Sequence, residues 1–174
     1  MRSPGRVVAV SGALLVLAGC AGDGTEERAD VTMDSALSEA VDVASLEEHR
    51  TPHLGDNSRV VALVGATSPH AVGESTLELR TDQRPYGLVL SFSAVADGVT
   101  ADVADDLMTD RATLLLATID NVDEVRWTLP EDVDQGDGGV LTRAEADALV
   151  GFSVADVGAT AEGLEELVSR LEEG

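Results

Sequence analysis

The chain contains no lysine: all 11 of its basic residues are arginine. That excludes an S-x-x-K serine hydrolase, and neither G-x-S-x-G nor H-E-x-x-H occurs. Aromatic residues are scarce, only Tyr86, Phe92, Trp127 and Phe152. So few rings leave almost nothing for stacking bases or sugars, which argues against nucleic-acid and glycan binding. The single cysteine, Cys20, excludes an intramolecular disulfide. The longest apolar stretch, from Val7 to Ala18, is too short to span ~30 Å of hydrocarbon, which takes about 20 residues. Positive charge is also in deficit. The formal net charge of −22 repels nucleic acid, anionic headgroups and phosphate-rich wall polymers.

What is present at the N-terminus has the parts of an export signal. Arg2 and Arg6 supply a positive start, Val7 to Ala18 the apolar run, and Leu17-Ala18-Gly19-Cys20 the end. That last motif resembles the lipobox of bacterial lipoproteins. The resemblance implies alkylation of the Cys20 thiol with diacylglycerol and cleavage before Cys20. Two acyl chains, at ~0.8 kcal/mol per buried CH₂, would anchor the chain stably. The expected organisation is a leader over 1–19, a lipid-anchored acidic tether over 20–49, and one folded domain over 50–174. The expected place is the outer face of the cell membrane. The Ala, Val, Asp, Arg and Gly richness suits a high-GC genome such as an actinobacterial one, although a halophile would also be acidic and lysine-poor.

Hydrophobic spacing organises the rest. Gly55-Asp56-Asn57-Ser58 offers capping side chains to a helix over about 58–66, with Val60, Leu63 and Val64 on one face. Thr76 to Arg80 and Leu88 to Phe92 alternate as two half-buried strands joined by a wide loop over 81–87. Met108, Ala112, Leu115, Ile119 and Val122 recur at helical spacing, and Leu114 and Leu116 broaden that face into a central helix. Val125, Trp127 and Leu129 form a third strand, with the Trp127 ring expected against Leu115 and Ile119. The stretch near Val140 offers a fourth strand. Thr142-Arg143-Ala144-Glu145 is a capping box opening a helix to about Val150, and Leu164, Leu167, Val168 and Leu171 line a last helix. The expected class is α+β: a small antiparallel sheet of three or four strands with helices on one face.

Three blocks carry a family resemblance: R-T-P-H-L-G-D-N-S-R-V from Arg50, L-E-L-R-T-D-Q-R-P-Y-G-L from Leu77, and A-T-L-L-L-A-T-I-D-N-V-D-E-V from Ala112. In order and spacing they resemble the bacterial family called domain of unknown function 4825, over roughly Arg50 to Leu171. The resemblance implies no catalytic activity. Members of that family occur as lipoproteins or exported proteins, and as the external part of membrane metallopeptidases of the antibiotic-sensor type. It therefore implies a sensory or binding module outside the membrane. This chain lacks the peptidase part, so signalling would need a separate partner.

Few residues suggest chemistry. His49 and His53 are four apart, but Pro52 breaks the helix that would make them a chelate, and His70 is distant. Asp132 to Gly138 resembles a calcium loop, yet Gly136 and Asp137 occupy the positions where an EF-hand needs an oxygen ligand and a glycine. Neither a metal nor a cofactor is expected, although a weak cation site in the acidic loop stays open. Gly55, Asp56, Asn57 and Ser58 can cap a helix or present amides to an anion. Arg84 and Tyr86 place a cation and the only tyrosine at a loop tip, where binding residues often sit; the alternative is a rigid turn with Tyr86 packed down. These six residues are the candidate interaction site. The expectation is a non-catalytic module, with the membrane as partner through lipid on Cys20 and an envelope protein or membrane sensor as the other. The rivals are an extracytoplasmic hydrolase using a histidine and a structural envelope protein.

Overall fold

The computed structural model describes residues 40–133 and 138–173. The expected leader, Cys20, the expected tether before residue 40 and residues 134–137 of the acidic loop lie outside them.

The fold includes residues N-terminal to the expected domain boundary at residue 50. Val41 is buried, and helix α1 (Val43–His49) turns Leu46 fully into the core, with Asp42 capping it by accepting from the Ser45 amide at 3.0 Å. The Asp42 amide donates to the Ala66 carbonyl at 2.9 Å, and the Ser68 hydroxyl donates to the Ala40 carbonyl. Residues 40–49, assigned to the tether, are therefore part of the fold. Their apolar signal is a single turn among acidic residues, too short for periodicity to reveal.

Helix α2 (Asn57–Ala66) is capped by Asp56, whose side chain accepts from the Arg59 amide, and it buries Val60, Leu63 and Val64. A 3-10 turn over Pro69–Ala71 leads into β1 (Gly73–Arg80) and the antiparallel β2 (Gly87–Val95). Thr100 then caps the long helix α3 (Ala101–Thr118). Leu114, Leu115 and Leu116 are all fully buried, which puts α3 in the middle of the molecule. Strand β3 (Glu124–Thr128) returns parallel to β2, and β4 (Gly139–Thr142) pairs antiparallel with β3. The strand order is β1-β2-β3-β4. Helices α4 (Arg143–Val150), α5 (Val154–Val157) and α6 (Ala161–Glu172) complete the chain.

The sheet is thus mixed, where a wholly antiparallel one was expected. Joining β2 to β3 through α3 carries the chain back to the end where β2 began, and such a crossover makes a parallel pair. Leu88, Leu90, Phe92, Val125, Trp127 and Leu141 form the inner face of the sheet. Each contributes roughly 1.5–3 kcal/mol by burial. The other face carries Thr76, Glu78, Arg80, Arg126 and the exposed Val140.

Two local readings differ from expectation. Helix α3 starts at Ala101 and stops at Thr118, so Ile119 and Val122 are buried but follow the helix. Ile119 turns extended and bridges to Thr51. Trp127 is buried on β3 as expected, but its contact with α3 is at Asp105, where the indole Nε1 donates to the carboxylate at 2.6 Å. The expectation had put it at Leu115 and Ile119. The ring also requires Gly139, since a Cβ there would come within 2.3 Å of it. The capping box is present in full: Thr142 accepts from the Glu145 amide and the Glu145 carboxylate accepts from the Thr142 amide at 2.8 Å. Gly151 ends α4 at φ 86°, a left-handed conformation that favours glycine.

Candidate functional site

The turn Ile119-Asp120-Asn121-Val122-Asp123 follows α3, and both candidate loops dock on it. The first loop spans residues 51–56. The Thr51 amide donates to the Thr118 carbonyl at 3.1 Å, and the Asp120 amide donates to the Thr51 carbonyl at 3.0 Å. The Asn121 side chain accepts from the Leu54 amide at 2.6 Å, and Leu54 itself is fully buried. Arg50 pairs with Asp120 at 2.7 Å. With Leu54 anchored, Pro52, His53 and Gly55 face solvent, as do Asn57 and Ser58 at the start of α2.

The second loop, 81–86, meets the same turn from β1–β2. The Asp123 carboxylate accepts from the Tyr86 amide at 2.7 Å and from the Arg84 guanidinium at 2.5 Å. In return, the Asp123 amide donates to the Tyr86 carbonyl at 2.8 Å. The Arg84–Pro85 peptide is cis. The Arg84 guanidinium lies 4.7 Å from the centre of the Tyr86 ring, within cation–π range. Tyr86 is half-buried against the core, while the Arg84 side chain remains 63% exposed. The two readings of this loop are therefore both partly realised. Tyr86 is a packed residue of a fixed turn, and Arg84 is the side chain that reaches solvent, with its charge already balanced by Asp123.

Arg143 fixes the turn itself. Its guanidinium donates to the carbonyls of Leu116, Ile119, Asp120 and Val122, at 2.5, 2.9, 3.2 and 2.8 Å. Leu116 belongs to the last turn of α3, whose carbonyls have no partner within the helix, and the other three belong to the turn that follows. Burial lowers the Arg143 pKa, and the carboxylates of Asp147, Asp120 and Asp123 pull it back up. Arg111, in the middle of α3, is 1% exposed and donates to the carbonyls of Ser68 and Leu107. Desolvation lowers its pKa and the charge of Asp110 opposes this.

The structure therefore brings Gly55, Asp56, Asn57 and Ser58 to the same end of the fold as Arg84 and Tyr86, on either side of one turn. Asp56 acts as a helix cap. Asn121, Asp123 and Arg143, which hold the arrangement, were missed in the sequence. Asn and Asp in a turn commonly bind backbone groups, which is the one signal that could have pointed to Asn121 and Asp123.

The histidines do not converge. His53 lies on the first loop, His49 at the end of α1, and His70 in the 3-10 turn. His70 borders an open groove with Gly65, Gly73, Ser75 and Ser93. Among the described residues no cluster of three or more His, Cys, Asp or Glu could hold a metal ion. No helix among them is long and apolar enough to cross a membrane.

No curated protein and no solved structure matches this chain. A family model described as domain of unknown function (DUF4825) matches residues 46–140. The match begins within α1 and ends in β4, so it takes in both loops and the turn that holds them, while α4 to α6 lie beyond it. Since it covers more than half of the sequence, this chain belongs to the domain of unknown function 4825 family.

Proposed function

We propose that this protein is a lipid-anchored, extracytoplasmic interaction module without a catalytic role, and that it binds a partner through the loop end organised by the 119–123 turn. The observation that carries this reading is the double docking: Asn121 holds the first loop and Asp123 the second. Loops fixed before binding lose less entropy when a partner arrives, which raises affinity without added contact area. Arginine is an effective anchor at such a surface because its guanidinium joins contact area to hydrogen bonding. The Arg84 guanidinium, 63% exposed, keeps N–H donors beyond its pair with Asp123, and these suit hydrogen-bond acceptors on a partner.

The partner class is an envelope protein or a membrane sensor. The anchor rests on the leader and on Cys20, and Cys20→Ser should abolish labelled palmitate incorporation and either release the protein from membranes or leave its signal uncleaved. Label entering that variant would contradict the lipobox reading. For the binding end, photo-reactive side chains placed at Ser58 and at Arg84 in intact cells should capture one and the same protein, while one placed at the exposed Glu165 on α6 should not. Capture of unrelated proteins from the two loops, or equal capture from α6, would contradict a single binding end.

A further inference from the structure

The two edges of the sheet are not alike. Strand β4 is four residues long and runs directly into α4, so it offers little to pair with. Strand β1 has eight residues in unbroken alternation and no proline. Among the described residues it has no strand on its outer side. A long edge of this kind is a template for another strand, its one irregularity being a register shift against β2 between Glu74 and Ser75. Beside it runs an open groove lined by Asn57, Ser58, Val61, Leu77 and Leu79. Val61 is 59% exposed there, and Leu77 and Leu79 are only half-buried. The edge strand itself lies outside the loop end described above, and Asn57 and Ser58 of the groove belong to both surfaces.

We propose that the occupant of this edge is a second copy of the chain, pairing β1 with β1 antiparallel about a two-fold axis at Leu77. Charge selects the register. Residues directly opposite in an antiparallel pair share a face of the sheet. Copies of β1 must therefore meet with inner Ser75, Leu77 and Leu79 against inner residues, and outer Glu74, Thr76, Glu78 and Arg80 against outer ones. Two such registers keep all but one residue of the strand paired. An axis at Thr76 sets Glu74 opposite the second copy's Glu78, and like charges directly opposite are destabilising. An axis at Leu77 sets Glu74 opposite the second copy's Arg80, and Arg80 opposite its Glu74. It also sets Thr76 opposite Glu78 and brings the two Leu77 side chains together beneath the groove. The strand is thus complementary to itself in one register and not in its neighbour. Joining the edges makes one sheet of eight strands and removes the open edge from both copies.

The exposed positions Thr76 and Glu78 test this without disturbing the core. Full-length chains carrying Thr76→Cys and Glu78→Cys, each with its own tag, would be expressed together, and intact cells treated with an oxidant. A mixed disulfide between the two tags is expected, well above the background of chains with Cys20 alone. Glu74→Arg added to both chains should suppress it several-fold, and Arg80→Glu added in turn should restore it, because the charges are then exchanged and again opposed. No mixed disulfide above background would overturn the proposal. So would an equal yield from Thr76→Cys alone, which would put the axis at Thr76, or a yield indifferent to Glu74→Arg.

Discussion

Asp123 and Tyr86 are joined by hydrogen bonds in both directions: the Asp123 carboxylate accepts from the Tyr86 amide at 2.7 Å, and the Asp123 amide donates to the Tyr86 carbonyl at 2.8 Å. The reciprocal pair fastens the loop after β1 to the turn after α3, across 37 residues of sequence. The same carboxylate also receives Arg84.

The two contacts to Asp123 should separate energetically. Asp123→Ala removes the acceptor of the part-buried Tyr86 amide, and a hydrogen bond to a charged group is worth about 1.5–3 kcal/mol. Arg84→Ala removes an exposed ion pair, worth about 0–1 kcal/mol after solvent screening, and an exposed cation–π contact of about 0.5–1 kcal/mol, while leaving the Tyr86 amide its acceptor. Denaturant unfolding should therefore show Asp123→Ala to be clearly the more harmful. Equal losses would mean that the ion pair, not the backbone contact, fastens the loop.

Trp127 should report on the core. It is the only tryptophan, 3% exposed, with its Nε1 bonded to Asp105. Trp127→Ala should cost ~3–5 kcal/mol. Asp105→Ala should cost about 1–3 kcal/mol by leaving a buried donor unpaired, with little change in overall shape. A melting free energy unchanged by Asp105→Ala would place the indole N–H elsewhere.

How much of this was legible in the sequence follows from the range of each signal. The α+β class, the capping box at Thr142 and Glu145, and the α6 face of Leu164, Leu167, Val168 and Leu171 rest on spacings within one element, and these were readable. The parallel pairing of β2 with β3 was not, since it depends on where α3 returns the chain. Nor was α1, where one buried leucine, Leu46, carries the packing. At the candidate site the exposed residues could be picked by type, but their grouping could not. It is made by Asn121, Asp123 and Arg143, which act over separations of 67, 37 and 21 to 27 residues.

The capping box should give a pH signature. Its hydrogen bonds from Thr142 hold the Glu145 pKa below the usual glutamate value. A carboxylate whose folded pKa is depressed stabilises the fold above its unfolded pKa, and that stabilisation is lost as pH falls through the folded value. Wild type should exceed Glu145→Gln in stability at neutral pH, and the gap should close as pH drops through and below the ordinary glutamate range. A gap that persists in acid would assign the difference to packing.

One turn holds both candidate loops, and Arg143 holds that turn. Its guanidinium binds four carbonyls of the turn and the helix end, and it touches neither loop by any of these bonds. Amide hydrogen exchange on Arg143→Gln is the direct measurement. If the turn organises the site, the Leu54 and Tyr86 amides should both lose protection, by roughly tenfold or more, while β2 amides such as Leu90 keep theirs. A folded variant in which Leu54 and Tyr86 stay protected, or in which only one of them loosens, would contradict the account.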